Sequence, residues 1–328
     1  MKNLAKSICL ATLLLATPAL PCAFHGYTPV PTLVEKLIDS SDIVLARPSP
    51  QNLFRFTPVE VLRGEVLMDE IPHLVDSATR RRIANKPEDR VLFAKNALTG
   101  EWTRLAYIDG DMDDALREIM QRLPDWRDGE LESRAAYFST LLGHDNAALN
   151  TLALRELDLL DYGTFRALSL QIDAARLQSR LNILTELDLQ PIRVLLLGLS
   201  DQQGMTDFFR EGVRLHAKSD GPMIGAYGLA LLEYQGAAAV EWIVQRQLAP
   251  QALPAQARST LVAAMAIHHE VGAAETSVAI RDALARAVVV DRELASLVNL
   301  HFNLMLDETE TKDLGLEVVL ALTTVSSN

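Results

Sequence analysis

The chain has 328 residues, of which 49% are apolar and only 5% aromatic, and its formal net charge is −12 at pH 7. A chain this acidic repels the phosphates of nucleic acids and anionic lipid headgroups, which argues against nucleic-acid binding and against peripheral membrane binding. The same charge favours basic proteins or cations as partners.

The first 23 residues have the organisation of a secretory signal peptide. Lys2 and Lys6 make a positive start, an apolar run follows at residues 8–15, and small residues come next. The run is too short to cross a bilayer, and no later segment of the chain is long and apolar enough to do so. The sequence therefore predicts a periplasmic or otherwise exported protein that is cleaved after Ala19 or Ala23.

The cleavage site decides the fate of Cys22. Cleavage after Ala19 keeps this residue and cleavage after Ala23 removes it, while Cys9 is lost with the apolar run in either case. The mature chain therefore forms no intrachain disulfide, and its stability must come from burial. Lipid anchoring at Cys22 is disfavoured, because Pro21 does not match the small residue that precedes a lipidated cysteine.

Residues 24–110 have the pattern of a small β-rich domain. Five short β-favouring runs are separated by turn residues, and a turn at residues 96–100 joins the last two into a hairpin. Two short helices are predicted at residues 32–38 and 77–85, the second with Ser77 as its N-cap. The predicted strands are Asp42–Arg47, Phe54–Leu62, Ile71–Val75, Arg90–Ala94 and Trp102–Ile108. Five short strands of this kind are typical of a barrel or a sandwich.

The apolar period becomes helical from about residue 112. Residues 111–129 are predicted as a connecting helix whose apolar stripe ends at Pro124, and residues 131–142 as a second helix. Three later helices open at prolines that are 31 residues (191 to 222) and 32 residues (222 to 254) apart, and each closes near a glycine. The closing glycines are Gly204, Gly236 and Gly272. Repeated helix pairs of this length predict an α-solenoid over residues 130–306, followed by a tail at 307–328. The apolar part of this tail, Leu316–Val325, fits either a strand or a last helix.

The helical pattern also carries a family resemblance. Residues Asn146–Leu157, with small and aliphatic side chains at helical spacing, look like the first helix of a degenerate HEAT repeat, and the units at Pro222 and Pro254 are similar. The resemblance covers about residues 130–305 and implies stacked helix pairs that bind proteins or peptides on a long face. The first interval is longer than the others, and it is predicted to hold an extra helix at residues 162–179.

The front part has a second, weaker resemblance. The segments Ser41–Arg47, Phe54–Gly64 and Val91–Ala94 are similar to the secreted OB-type domains of netrins and metalloproteinase inhibitors. Those inhibitors chelate a protease metal through a disulfide-tied first cysteine, and a disulfide cannot form here. The resemblance therefore implies the fold and not the inhibitory activity. The predicted fold class is α+β, with a small OB-like N-terminal domain followed by an all-α HEAT-like solenoid.

Two groups of side chains have weak metal-ligand character. Cys22 and His25 offer two zinc ligands, but a zinc site needs further ligands from elsewhere in the chain. Asp109, Asp111 and Asp113 would attract calcium, yet the glycine and glutamate of an EF-hand loop are missing. Carboxylates at this place also stabilise the positive end of the following helix, so helix capping is the favoured interpretation.

Two further polar runs are given structural interpretations. His268 and His269 are adjacent on a helix and point about 100° apart, so they do not face one ion, and the helix dipole accounts for histidines near its C-terminus. The basic run at residues 79–82 is interpreted as a solvated helix face. The chain contains no nucleophile-elbow, P-loop or dinucleotide-binding motif, so no catalytic residue and no cofactor is predicted.

The function that these patterns favour is an exported, non-enzymatic protein-binding scaffold that uses the face of the solenoid. Its partner is predicted to be another protein or a peptide, with a basic one favoured by the charge of the chain. The alternative is a metal-binding or enzymatic envelope protein, centred on Cys22 and His25 or on the Asp109–Asp114 cluster.

Overall fold

The computed structural model describes residues 30–65, 68–218, 223–249, 253–308 and 313–324 of the chain. The predicted signal peptide, residues 1–23, lies outside these ranges. Within them an antiparallel sheet occupies the N-terminal part and a long series of helices follows it, so the structure fits the predicted α+β class.

Five strands form one curved antiparallel sheet, the half-barrel, in the order β3-β2-β1-β4-β5. The strands are β1 Ser40–Pro48, β2 Arg55–Arg63, β3 Ile71–Leu74, β4 Arg90–Asn96 and β5 Trp102–Ile108. The two edges approach each other, because the ring Nε2 of His73 in β3 lies 2.6 Å from the backbone oxygen of Trp102 in β5. All five predicted strands are confirmed, with ends within two residues of the predicted ones.

The central strands are apolar on both faces because both faces of the half-barrel are covered. On one face the rings of Phe56 and Phe93 pack with their centroids 4.8 Å apart, next to Val44. On the other face Ile43 and Leu92 pack in a cluster with the neighbouring helices. Strands that are buried on two faces have continuous apolar runs instead of strict alternation, as β1 does in its middle.

Two short helices accompany the half-barrel. Helix α1 (Leu33–Ile38) begins with a capping box, in which the Thr32 hydroxyl and the Glu35 carboxylate each accept a backbone N–H of the other residue. The N-cap of helix α2 (Ser77–Asn85) is Asp76, one residue before the predicted cap Ser77. The reason is that the Asp76 carboxylate accepts both the backbone N–H of Thr79, at 2.8 Å, and its hydroxyl, at 2.6 Å.

Helix α3 (Gly110–Arg127) lies against the half-barrel, and its ends are within two residues of the connecting helix predicted at residues 111–129. The predicted end of the apolar stripe at Pro124 is wrong, since the helix continues through this residue to Arg127 and buries Trp126. Proline removes one helical hydrogen bond, but the last turn buries Leu123 and Trp126 in the cluster that α3 shares with the sheet. Tertiary packing therefore outweighs the local helix-breaking tendency.

The remaining helices form two layers. They are α4 Leu131–Leu141, α5 Ala147–Leu157, α6 Tyr162–Ala167, α7 Ala174–Ser179, α8 Gln190–Gly198, α9 Thr206–His216, α10 Met223–Gln235, α11 Ala237–Arg246, α12 Ala255–Val271, α13 Ala274–Val288, α14 Arg292–His301 and α15 Leu314–Thr324. Helices α8, α10, α12 and α14 pack successively in one layer; α11, α13 and α15 pack successively in the other, and α9 packs on α10. Each helical hairpin from α8 onward thus leans on the next. Among the described helices, none combines the length and apolar character needed to cross a bilayer.

Two sequence-based boundaries in this part need correction. The extra helix predicted at residues 162–179 is split into α6 and α7, because the intervening Leu168, Leu170 and Ile172 leave the helix and pack on the large helical core. Pro254 is the N-cap of α12 and does not lie within its first turn. Pro191 lies in the first turn of α8 as predicted, and Pro222 is outside the described residues.

The predicted tail is part of the helical stack. Residues 314–324 form α15, which packs on α13 and α14. Its buried side chains Leu314, Val318 and Leu322 belong to the same apolar cluster as the preceding helices. The helical spacing of these three residues buries one side of α15. Of the two structures that the sequence left open for this segment, a strand or a last helix, the helix is the one observed.

A buried ion pair joins the front part of the chain to the helices. The Arg134 Nε in α4 donates to the Glu156 carboxylate in α5 at 2.9 Å, and the Arg134 Nη2 donates to the Thr32 hydroxyl at 3.1 Å. The backbone N–H of Val34 donates to Glu156 at 3.3 Å. Because Thr32 is the N-cap of α1, this arrangement holds the start of the half-barrel domain on α4 and α5.

Close approach of α8 and α10 depends on Gly198. A Cβ atom at this position would lie 2.7 Å from the Ala230 Cα and 2.9 Å from the Ala230 carbonyl oxygen. Gly198→Ala is therefore expected to lower the free energy of unfolding by about 1–3 kcal/mol, measured by urea denaturation. Gly143→Ala is the control, because nothing lies within 4 Å of its added Cβ. Equal losses in the two variants would show that the helix contact does not matter.

Candidate functional site

The predicted metal ligands do not assemble into a site among the described residues. Cys22 and His25 lie outside those residues. Asp109 is the N-cap of α3, and its carboxylate accepts the backbone N–H of Met112 at 3.1 Å, so the capping interpretation is confirmed. The Asn146 side-chain amide lies 3.2 Å from both Asp109 and Asp111, and it ties the start of α5 to the start of α3.

Asp113 faces arginine side chains. Its Oδ1 is 2.7 Å from the Arg90 Nη2 and its Oδ2 is 3.1 Å from the Arg117 Nε, while Glu60 in β2 pairs with the same two arginines. This network fastens α3 to β2 and β4. Throughout the described ranges, no three His, Cys, Asp or Glu side chains come together as metal ligands would. The carboxylates of Asp109, Asp111 and Asp113 thus interact with the first turn of α3, with the Asn146 amide and with arginine side chains.

A buried polar cluster lies inside the helical stack, and the sequence pattern did not reveal it. His268 in α12 is 1% exposed, and its Nε2 is 3.2 Å from the Glu233 carboxylate in α10, at an angle too poor for a linear hydrogen bond. Glu233 also accepts hydrogen bonds from the Arg166 Nε, at 2.9 Å, and from the Tyr162 hydroxyl, at 2.9 Å. The helix-dipole interpretation of His268 is therefore incomplete, since this side chain has a buried carboxylate partner.

The charge state of this cluster is set by its contacts. Burial by itself raises the pKa of Glu233, but the contact with His268 and the hydrogen bonds from Arg166 and Tyr162 outweigh burial and lower that pKa to about 2. Burial, with the nearby Glu233 charge, raises the pKa of Tyr162 well above its ordinary value. The cluster joins α6, α10 and α12. None of its members lines the two grooves or the cavity described next. Its role is to hold helices together.

Two neighbouring grooves lie in the helical part, one beside the ends of α9 and α11 and one between α11 and α13. The α9–α11 groove has a volume of about 460 Å³, and the α11–α13 groove has a volume of about 260 Å³. The first is lined by Glu211, Arg214, Leu215, Ala217, Lys218, Gln247, Leu253 and Pro254. The second is lined by Glu241, Val244, Gln245, Leu248, Ala249, Ala283, Arg286, Ala287, Val290, Asp291 and Leu294. Both have apolar floors with charged side chains on their margins.

A buried arginine supports the α11–α13 groove from below. Arg258 in α12 is 2% exposed, and its Nη2 donates to the Asp291 carboxylate at 2.5 Å and to the Leu248 carbonyl at 3.2 Å. Its Nη1 donates to Glu293 at 2.7 Å. Leu248 and Asp291 both line the groove, so Arg258 holds these two lining residues together.

A third cavity, of about 340 Å³, lies where the front part meets the helices. Leu33, Leu105 and Leu152 form part of its apolar wall. An ion pair between Arg155 and Asp188, 2.6 Å apart, belongs to its lining. The other polar residues of the lining are Thr32, Lys36 and Thr151.

Negative charge is concentrated in the helical part. Residues 130–328 contain 25 Asp and Glu against 15 Lys and Arg, whereas residues 24–129 contain 18 against 14. Several arginines of the helical part are neutralised in ion pairs. Six exposed carboxylates there have neither an ion pair nor a side-chain hydrogen bond among the described residues: Glu132, Asp201, Asp207, Glu270, Glu275 and Glu317. The helical surface therefore carries an unbalanced negative charge.

The chain was also compared with known proteins. No protein-family model, no curated protein and no solved structure matches it.

Proposed function

We propose that this chain is an exported, non-enzymatic protein-binding scaffold, and that it binds a segment of another protein along two neighbouring grooves of its helical stack. The observation that carries the proposal is the adjacency of these grooves. The α9–α11 and α11–α13 grooves adjoin at the end of α11, where Gln247 lines the first and Leu248 lines the second. Leu215 on the first lining is 64% exposed, and Val290 on the second is 81% exposed. Successive grooves of this kind suit a long segment that spans more than one repeat.

The packing supports a HEAT-like interpretation of the helical part. Hairpins that stack in two layers, each covering the apolar side of its neighbour, are what such repeats require. An OB-like interpretation of the half-barrel is supported by its strand order, by the approach of β3 to β5 and by the position of α2 between β3 and β4. Export is supported by the signal-peptide pattern of residues 1–23.

The partner that the charges favour is basic. The six unpaired carboxylates attract a cationic segment and speed its encounter, while the apolar groove floors supply the contact that holds it. Binding is therefore expected to weaken as the salt concentration rises, because exposed charges are screened.

The test is affinity capture from the cell envelope of the native host with matched variants. Leu215→Glu combined with Val290→Glu places a charge in each groove and is expected to reduce the yield of captured partner at least about tenfold, since charge in the centre of an apolar contact is costly. Leu184→Glu is the control, because this leucine is 83% exposed and lines neither groove. Capture of the same partner at full yield by the double variant would contradict the proposal.

A further inference from the structure

Helix α2 carries a group of positive charges that the acidic chain does not neutralise. Arg80, Arg81 and Arg82 follow one another on α2, and Lys86 is its C-cap. Within the described part of the chain, none of these four residues forms an ion pair, whereas many other arginines do. Because α2 rests on the half-barrel through buried Thr79 and Ile83, these cations lie around its solvent side.

Nearby carboxylates leave the positive charge in place. Asp76 is paired with Arg104 at 2.7 Å, and Asp89 is buried and accepts the Tyr107 hydroxyl at 2.6 Å. Glu88 is exposed close to Lys86 and offsets one charge. The exposed side of α2 therefore keeps an excess of positive charge in a protein whose net charge is −12.

Three large apolar side chains are exposed beside these cations. Leu53 and Phe54, in the turn between β1 and β2, are 55% and 60% exposed, and Leu74 at the end of β3 is 70% exposed. They are contiguous, since the backbone N–H of Val75 donates to the Phe54 carbonyl at 3.0 Å. The Arg80 guanidinium lies 5.2 Å from the centre of the Phe54 ring, which joins the apolar and the basic parts into one surface.

We infer that this surface, formed by Leu53, Phe54, Leu74 and the basic side of α2, docks on an anionic lipid bilayer. A projecting turn with leucine and phenylalanine can enter the boundary between headgroups and acyl chains, and flanking arginines can reach lipid phosphates. The inference is independent of the grooves and goes beyond the proposed function.

The acidity of the whole chain does not prevent this contact. Charges are screened within about 8 Å at physiological salt, so a bilayer responds to the residues that touch it and not to the net charge. The more acidic helical part is repelled, which turns α2 and the Phe54 turn towards the lipid. The expectation that the chain avoids membrane surfaces rests on its total charge alone, and the following experiment tests it.

The experiment is co-sedimentation of the full chain with vesicles at physiological salt. Binding is expected to vesicles that contain phosphatidylglycerol and not to vesicles of phosphatidylcholine alone. Phe54→Ser is expected to lower the partition coefficient between vesicles and water about tenfold, because the variant has no aromatic ring at this position to enter the bilayer. Arg81→Glu is expected to weaken it about 25-fold, since each charge near an anionic surface contributes about fivefold.

Two control variants keep the test specific. Leu98→Ser removes a leucine that is 96% exposed in the turn between β4 and β5, at the opposite end of the half-barrel. Arg246→Glu reverses an exposed charge on α11. Both are expected to bind like the unmodified chain, and the thermal midpoint of every variant is measured to show that it is folded.

Any of three results overturns the inference. These are absence of binding to phosphatidylglycerol vesicles, equal binding to phosphatidylcholine vesicles, and full binding by Arg81→Glu. Release from the vesicles by an excess of soluble glycerol phosphate would show that the surface binds a small anion and not the bilayer. Binding to soluble polyglutamate that is lost in the same two variants would assign it to an acidic protein. Either of these outcomes also overturns the inference.

Discussion

Replacement of Arg258 by methionine is expected to lower the free energy of unfolding by about 3–5 kcal/mol. The variant leaves the Asp291 carboxylate, whose side chain is 9% exposed, without its ion-pair partner, and it also leaves the Leu248 carbonyl without its donor. The lost contact with Glu293 contributes little, because that side chain is 58% exposed and is screened by solvent. The large effect comes from a buried charge that is no longer compensated.

Urea denaturation at neutral pH measures this loss. The control is Arg246→Met on the neighbouring α11, since Arg246 is exposed and forms no ion pair within the described residues. A surface change of this kind is expected to stay within about 0.5 kcal/mol. If both variants lost the same amount, the burial of Arg258 would not be what matters.

The second large effect concerns acid pH and the buried Glu233. The pKa of this carboxyl is about 2 in the folded chain against an ordinary value of 4.5. A group with a lowered folded pKa stabilises the protein fully above its unfolded pKa, and this contribution is lost as the pH falls from about 4.5 through about 2. The shift corresponds to about 3 kcal/mol. The difference in free energy of unfolding between the unmodified chain and Glu233→Gln is therefore expected to shrink by about that amount between pH 5 and pH 2.

Urea denaturation repeated at several pH values isolates this contribution from those of other carboxylates. Glu241→Gln is the matched control, because Glu241 is 48% exposed and pairs with Arg286, which is also exposed. Its effect is expected to be small and nearly independent of pH. A Glu233→Gln difference that stayed constant from pH 5 to pH 2 would falsify the assignment of the low pKa.

The strands of the half-barrel were predictable because each one is marked by a pattern within its own short segment of the sequence. Each strand is short, β-favouring and bounded by turn residues, so the five runs were placed correctly without knowledge of their partners. The two local errors have clear causes. Ser77 was preferred as a cap although the Asp76 carboxylate accepts two hydrogen bonds from Thr79. Pro124 was taken as the end of the apolar stripe although Trp126, beyond it, is buried in the same cluster.

The buried cluster around Glu233 was not predictable from spacing. Its members come from three helices, and Tyr162 is 71 residues from Glu233 in the chain. One signal was present, however. Glu233 is the only charged residue of α10, a helix that is otherwise apolar almost all round, and a charge in such a helix needs a buried partner. Arg193 in α8 gives the same signal and is completely buried against Glu186.

The position of α15 limits how far the helical array can extend. A stack of identical hairpins would leave an apolar face exposed at its end. Further molecules would add to that face and form a fibre. Here α15 covers the last hairpin with Val318 and Leu322, while its outward residues Glu317 and Leu320 are exposed. At the other end, α4 and α5 are occupied by α1 and α3. The described hairpins are thus covered by α1 and α3 on one side and by α15 on the other.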